Sequence, residues 1–151
     1  MLSQAPRSRA QLAEAMAKKD VPDDVATRVL DRFTEVGLVN DADYAEMLVR
    51  TRHSERGLAR RALAVELRRK GITGEDAEAA LEAVQPEDEE AAARKLLERK
   101  ARSTEGLDPI KRRRRLMGML ARKGYSAGLA YRLINEVLDD DGFEGDDEVL
   151  D

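Results

Sequence analysis

The stretch Leu63-Ala64-Val65-Glu66-Leu67-Arg68-Arg69-Lys70-Gly71-Ile72 decides the fold, because its pattern occurs three times along the chain. Two apolar residues four positions apart precede a basic residue and a turn, and an apolar residue then begins a second periodic stretch. The turns Lys19-Asp20, Lys70-Gly71 and Lys123-Gly124 align at offsets of 51 and 53 residues. This pattern predicts two helices joined by a short turn in each copy.

The three copies share their apolar positions. These are Leu12, Leu63 and Leu116; Met16, Leu67 and Leu120; Val21, Ile72 and Tyr125; Ala26, Ala77 and Ala130; and Leu30, Leu81 and Ile134. Residues 41–55 and 87–102 leave room for one further helix before the second and third copies. The repeat is therefore expected to be a three-helix unit. Only residues 1–7 precede the second helix of the first copy, which indicates either a shortened repeat or a fragment boundary.

We predict an all-α protein built as an elongated array of tandem three-helix repeats, because each repeat has only a small core and buries the rest of its apolar face on its neighbour. The predicted ranges are 1–39 for the shortened first repeat, 40–85 for the second, 86–138 for the third and 139–151 for an acidic flexible tail.

Capping residues predict where the helices begin and end. Asn40 or Asp41 caps one helix, and Thr73 caps another with Asp76 in a capping box. Asp108-Pro109 begins a helix that ends at Lys123-Gly124. Pro86 lies in the first turn of a helix to about Arg102, and Ser126 caps the last helix through about Leu138.

Composition excludes several classes of protein. The 151 residues contain no Cys and one His, so disulfides and thiolate zinc sites are excluded and a cytoplasmic location is expected. No apolar run has the length of a membrane span. His53 and Ser54 are neighbours in a helix, so their side chains diverge and cannot form a catalytic pair. We expect no enzyme activity, no metal and no cofactor, and we interpret the acids Glu87–Glu90 as first-turn helix residues.

Although the chain has a net charge of −4, residues 1–138 carry a net positive charge. Residues 139–151 hold eight of the 31 acids and no base, so 23 acids stand against 27 bases in residues 1–138. Too few apolar residues lie in 139–151 to offset the entropy of ordering them. We therefore expect a mobile or loosely docked tail that weakly competes with phosphates for the basic helices.

Two clusters of basic residues are candidates for binding phosphates or acidic protein surfaces. Residues 50–70 hold eight bases, and residues 109–123 hold seven bases and no acid. The run Lys111–Arg115 spans more than one helical turn, so only two or three of its members can share a face. A solvated helix face remains the alternative for each cluster. The candidate binding residues are Arg60, Arg61, Arg68, Lys111, Arg112, Arg114 and Arg115.

Any contact with DNA should be weak, directed at the backbone and independent of sequence. The chain has only five aromatic residues, and Tyr44 and Tyr125 occupy positions where the repeat pattern requires core residues. A platform on which bases stack is therefore not expected.

Several motifs resemble the RecX family of regulatory proteins. Gly37-Leu38-Val39-Asn40-Asp41 before Tyr44-Ala45 is similar to its repeat junction, and Arg56-Gly57 followed by Glu66-Leu67-Arg68-Arg69-Lys70-Gly71-Ile72 is similar to its central signature. Leu120-Ala121-Arg122-Lys123-Gly124-Tyr125-Ser126 resembles the version in the third repeat. The resemblance covers roughly residues 8–138.

This resemblance implies a curved row of helical repeats in a cytoplasmic, non-enzymatic modulator of RecA. Such a protein binds RecA and its filaments on single-stranded DNA, and it inhibits RecA ATPase, strand exchange and coprotease activity in recombination, DNA repair and the SOS response. A monomer is expected. A helix-turn-helix transcription factor and a helical scaffold without DNA binding remain alternatives, and a titration of single-stranded DNA with and without RecA distinguishes them.

Overall fold

The computed structural model describes residues 7–141, in which every regular element is a helix and no strand occurs. The prediction of an all-α protein is confirmed. The eight helices are α1 (Arg9–Lys18), α2 (Asp23–Glu35), α3 (Asp41–Arg56), α4 (Arg60–Arg69), α5 (Gly74–Leu81), α6 (Pro86–Ser103), α7 (Pro109–Arg122) and α8 (Ala127–Asp141). None of these helices is long and apolar enough to cross a membrane.

Most predicted helix ends are confirmed. The Asp108 carboxylate accepts hydrogen bonds from the backbone N–H groups of Ile110 and Lys111, so it caps α7. The Asn40 side chain accepts from the N–H of Asp43, and the Ser126 hydroxyl accepts from the N–H of Leu129. These bonds satisfy donors that a helix leaves free in its first turn.

Two helix ends differ from the prediction. Thr73 precedes α5, but its side chain makes no capping hydrogen bond, so the predicted capping box with Asp76 is wrong. Gly74 follows with φ of +67°, and this irregular first turn does not present its N–H groups to the threonine hydroxyl as an ordinary N-cap does. Helix α8 continues to Asp141 instead of ending near Leu138. The remainder of the predicted tail, 142–151, lies outside the described residues.

The chain divides into two compact units. One contains the residues up to Thr51 together with Leu63–Ala83, and the other contains Arg52–Ala62 together with the residues from Val84 onward. In the first unit, α1 packs against α2. In the second unit, α6, α7 and α8 pack against one another around a core that includes Leu97, Leu116 and Leu133.

Burial follows the repeat register fully in the third copy and in part in the second, where Ala77 and Leu81 are only half-buried. Leu63, Leu67, Leu116 and Leu120 are each fully buried. The aligned Leu12 and Met16 of the first copy are only half-buried, and so is Tyr44, which was expected in the core. Tyr125 is 4% exposed, as expected. Ala26 and Leu30 of the first copy are nevertheless buried, so α2 follows the apolar pattern more closely than α1 does.

Candidate functional site: repeat junctions and basic helix faces

In the first unit, the beginning of α1 is attached to the end of α4. The Ser8 hydroxyl accepts from the N–H of Gln11 and donates to the backbone carbonyl of Lys70. The N–H of Arg9 donates to the carboxylate of Asp41, at 2.9 Å. This cap was not among the predicted ones, although Ser8 and Gln11 have the spacing of a capping box.

The second unit contains the same junction between α4 and α7. The N–H of Ala59 donates to the carbonyl of Lys123 at 2.9 Å, and the N–H of Arg60 donates to the Glu89 carboxylate at 2.8 Å. The Tyr125 hydroxyl donates to the carbonyl of Gly57 at 2.7 Å. Burial of this phenol raises its pKa, so it stays protonated and remains a donor.

Glycine is required at both junctions because the next helix lies against the turn. A Cβ atom at Gly71 would overlap the Cβ of Ala10, and one at Gly124 would lie 2.6 Å from the backbone nitrogen of Ala62. Both glycines also have positive φ, at +78° and +95°. The predicted turn glycines therefore do more than end a helix: they allow close packing of one repeat's helix on the next.

The arginines at one equivalent position of the repeats connect two helices of the same repeat through their side chains. Arg9 forms an ion pair with Asp31 on α2 at 2.6 Å, and Arg113 donates to Asn135 on α8. Asp31 and Asn135 are equivalent in the repeat register, so the two contacts are copies of one interaction. Arg60 occupies the same position as Arg9 and Arg113 and is half-buried, which makes it a weaker candidate for binding than its exposed neighbours.

Arg112, a predicted binding residue, is attached to the end of α6. Its guanidinium donates to the backbone carbonyl of Ala101 at 2.9 Å and to the Thr104 hydroxyl at 3.2 Å. Thr104 is 1% exposed, so the interaction satisfies acceptors that have little access to water. This role of Arg112 is not visible in the sequence, because the contact depends on how the turn after α6 is folded.

Replacing Arg112 with alanine should therefore lower the free energy of unfolding by about 1 kcal/mol, the net value of lost hydrogen bonds whose acceptors keep other partners, since Thr104 still donates to the Ala101 carbonyl. The matched control is Arg114→Ala in the same run, because Arg114 is exposed and such changes cost less than about 0.5 kcal/mol. Urea unfolding followed by circular dichroism measures both. Equal effects of the two substitutions would contradict the structural role of Arg112.

The remaining three bases of the run are exposed on one side of α7. The side chains of Lys111, Arg114 and Arg115 make no hydrogen bond or ion pair with any residue between 7 and 141. At about 100° per residue they lie within an arc of about 100°, and Arg122 two turns further on lies in the same arc. We call Lys111, Arg114, Arg115 and Arg122 the α7 basic face. Whether these exposed members face a partner, as expected for two or three of the run, stays a prediction.

A glycine lies within this face. Gly118 is on the same side of α7 between Arg115 and Arg122, and a Cβ atom there would lie 3.3 Å from the Arg122 guanidinium. An interior glycine weakens a helix by about 1 kcal/mol relative to alanine. Here the missing side chain leaves room for the Arg122 guanidinium, which lies against the helix at this position.

Helix α4 has a smaller basic face. Arg61 and Arg68 are two turns apart on the same side of the helix, and both are exposed without a hydrogen bond or ion pair among the described residues. Val65 lies between them and is 36% exposed. We call Arg61, Val65 and Arg68 the α4 face.

The acidic cluster Glu87–Glu90 serves the structure. The Asp88 carboxylate accepts from the N–H of Gln85, which completes a capping box at the start of α6. Glu90 pairs with Arg132 of α8 at 2.7 Å, and this hydrogen bond holds the Glu90 pKa below its ordinary value. Among residues 7–141 no group of His, Asp or Glu side chains has the arrangement of a metal site.

Three segments of the chain match the successive domains of one family. Residues 1–33, 40–81 and 87–134 match the first, second and third three-helix domains of RecX. The chain belongs to the RecX family. The matched segments include both junctions and both basic faces.

Curated relatives agree with this assignment. The regulatory protein RecX of Thermobifida fusca is 53% identical over 146 residues, which are 97% of this chain and 79% of the relative. That of Streptomyces coelicolor is 51% identical over 142 residues, which are 94% of this chain and 76% of the relative. Both relatives are named regulatory proteins, consistent with a non-enzymatic regulator.

Solved structures agree as well. A crystal structure of regulatory protein RecX has a TM-score of 0.78 and 25% identity, and the match covers 89% of this chain and 66% of the other. RecX from Lactobacillus salivarius has the same TM-score at 24% identity and shows the same fold over 88% of its length.

Proposed function

We propose that this RecX family member binds RecA and the filaments that RecA forms on single-stranded DNA, and that it inhibits the ATPase, strand-exchange and coprotease activities of RecA. The observation that carries the proposal is the α7 basic face. Three of its cations are presented to solvent without a partner among the described residues. A regulator of a nucleoprotein filament needs such a surface to meet phosphates or acidic side chains.

The chemistry of the faces favours backbone contacts over reading of base sequence. Arginine and lysine bind phosphates whatever the base, and each phosphate contact adds to the salt dependence of binding. The described residues place no aromatic side chain on either basic face. We therefore propose weak, sequence-independent binding to bare DNA and tighter binding to the filament, by a monomer that acts in the cytoplasm without a cofactor.

The test is the ATPase of an active RecA on single-stranded DNA. Adding this protein at less than one molecule per RecA should lower the rate of ATP hydrolysis, because a protein bound at one position blocks growth of the filament beyond it. Fluorescence anisotropy with labelled single-stranded DNA, with and without RecA, should show stronger binding when RecA is present.

An unchanged ATPase rate at equimolar protein would overturn the proposed inhibition. Tight binding to a particular duplex sequence without RecA would instead favour a transcription factor. If the protein binds bare DNA and RecA filaments with equal affinity, the proposed interaction with RecA is wrong.

A further inference from the structure

The α7 basic face concentrates positive charge with no acid beside it among the described residues. Lys111, Arg114, Arg115 and Arg122 lie within an arc of about 100°, and none of their side chains has a hydrogen bond or ion pair with residues 7–141. Such a concentration of like charge attracts any acidic segment that can reach it. The same chain contains such a segment.

Residues 142–151, which we call the 142–151 segment, are strongly acidic in sequence. They hold five acids and no base, and the acids are Glu144, Asp146, Asp147, Glu148 and Asp151. Four of these acids fall within the five residues 144–148. The segment is therefore opposite in charge to the α7 basic face.

Helix α8, which precedes this segment, ends beside the beginning of α7. The two helices pack against each other and are joined by the four residues 123–126, so they run in opposite directions. The Arg113 guanidinium donates to Asn135, which places the middle of α8 level with the first turns of α7. At 1.5 Å per residue, Asp141 is about 9 Å beyond Asn135, and Pro109 is about 6 Å from Arg113. The chain therefore leaves α8 next to the first turn of α7.

An exposed apolar residue lies between this end of α8 and the α7 basic face. Ile110 is 68% exposed. At about 100° per residue it lies about 60° from Arg113, which contacts α8, and about 40° in the other direction from Arg114. Phe143 is the second residue of the 142–151 segment. A segment that passes from α8 to the face can cover Ile110 with Phe143 and so remove apolar surface from water.

The 142–151 segment is long enough to follow the whole face. Ten extended residues span up to about 33 Å, whereas Lys111 and Arg122 are about 17 Å apart along α7. The first acid of the segment, Glu144, is three residues after Asp141 and so within about 10 Å of the end of α8. Gly142 restricts the direction of the backbone least at the position where the chain has to turn toward α7.

We propose that the 142–151 segment binds the α7 basic face of its own chain, with its acids beside the four cations and Phe143 against Ile110, and that it competes there with the anionic groups of a partner. The segment is a built-in inhibitor. It weakens binding to a short anionic ligand more than binding to a filament, which offers many contacts at once. Only the identity of the competing partner rests on the proposed function, because the contact itself needs no partner.

A spin label on the segment tests the contact in the full chain. The protein has no cysteine, so Val149→Cys gives a single site for a nitroxide, which broadens the NMR signals only of amides near it. At low salt the amides of α7 should be broadened, and the broadening should decrease as salt screens the charges. Arg114→Glu with Arg115→Glu should abolish the broadening. Lys18→Glu with Lys19→Glu, the charge-matched control at exposed positions at the end of α1, should leave it unchanged.

Neutralising the segment tests the competition. The neutral variant carries Glu144→Gln, Asp146→Asn, Asp147→Asn and Glu148→Gln, and its α7 is unchanged. It should bind a short fluorescent single-stranded DNA at least about fivefold more tightly at low salt, because several exposed ion pairs no longer have to be broken. In the background of Arg114→Glu with Arg115→Glu the same four changes should give no gain, whereas an effect of net charge alone would persist there.

The outcomes separate the contact from its consequence. If the amides of α7 are not broadened, or stay broadened after the charge of the face is reversed, the proposed contact is wrong. If broadening requires a spin-labelled second molecule mixed with unlabelled protein, the segment binds another copy and the contact within one chain is wrong. If the contact is observed but the neutral variant binds neither DNA nor filaments more tightly, the proposed inhibition by the segment is wrong. An unchanged RecA ATPase would overturn the proposed function and leave the spin-label result intact.

Discussion

Substituting Gly124 with alanine should lower the free energy of unfolding by about 3 kcal/mol, which is a large fraction of the stability of a small domain. An L-residue pays about 1–2 kcal/mol for the left-handed backbone that Gly124 adopts at φ +95°. A Cβ atom there would also lie 2.8 Å from the Cβ and 3.2 Å from the Cα of Ala62. Relieving this overlap requires the start of α4 to move away, which adds about 1–3 kcal/mol.

Gly106 supplies the matched control. It has φ of +86°, but a Cβ atom there would meet nothing within 4 Å. Gly106→Ala therefore carries the backbone cost alone and should lower the free energy of unfolding by about 1 kcal/mol. Urea unfolding gives both values. If Gly124→Ala and Gly106→Ala cost the same, close packing at the junction is not what requires glycine.

A second test of Gly124→Ala is to locate the region of the protein that the substitution destabilises. Hydrogen exchange reports local opening residue by residue. With Gly124→Ala, the amides of Ala59 and Arg60 should become less protected, because they donate across the junction to Lys123 and Glu89. If other amides lose protection from hydrogen exchange while those of Ala59 and Arg60 keep it, the proposed link between Gly124 and these hydrogen bonds is wrong.

The sequence predicts the helical repeat well because its signals are local. Lys70-Gly71 and Lys123-Gly124 end their helices, and Asp108 begins one, through contacts within a few residues. A period of about 50 residues then places equivalent helices in register. The junctions are harder to predict from the sequence, because the close contact of Ala62 with Gly124 joins residues that are far apart in the chain.

The candidate site is harder to predict from the sequence, because adjacent arginines of one basic run differ in whether they are exposed or bonded to another helix. Arg112 and Arg115 are indistinguishable as sequence, yet the Arg112 guanidinium is bonded at the end of α6 while Arg115 is exposed. A helical wheel orders the run by angle but does not show which side meets α6. The repeat register identifies Arg113 more easily, because Arg9 makes the equivalent contact in the first copy.

Reversing the charge of Arg114 and Arg115 together should weaken binding to the RecA filament by at least about 100-fold at low salt. Both side chains are exposed on the α7 basic face and have no partner among the described residues. A hydrogen bond to a charged group contributes about 1.5–3 kcal/mol, and each 1.4 kcal/mol is a tenfold change in affinity. The variant Arg114→Glu with Arg115→Glu therefore removes two such hydrogen bonds and leaves Arg112 and Arg113 in their structural roles.

The salt dependence identifies the partner of the face. If the two arginines bind phosphates of single-stranded DNA, the slope of log affinity against log salt should flatten by about 1.4, or about 0.7 for each phosphate that is no longer neutralised. If they bind acidic side chains of RecA, affinity for bare DNA should be unchanged while filament binding falls. Anisotropy titrations on both ligands at several salt concentrations distinguish these cases.

A charge-matched variant excludes a general electrostatic effect. Lys18→Glu with Lys19→Glu changes the net charge by the same amount at exposed positions at the end of α1. It should leave filament affinity within a few-fold of the original, because net charge alone contributes only a weak, salt-screened attraction when the residues of the binding face are intact. Equal effects of both variants would mean that net charge, and not the α7 basic face, determines binding. Unchanged binding by the Arg114 and Arg115 variant would make this face a solvated surface and leave the α4 face as the candidate.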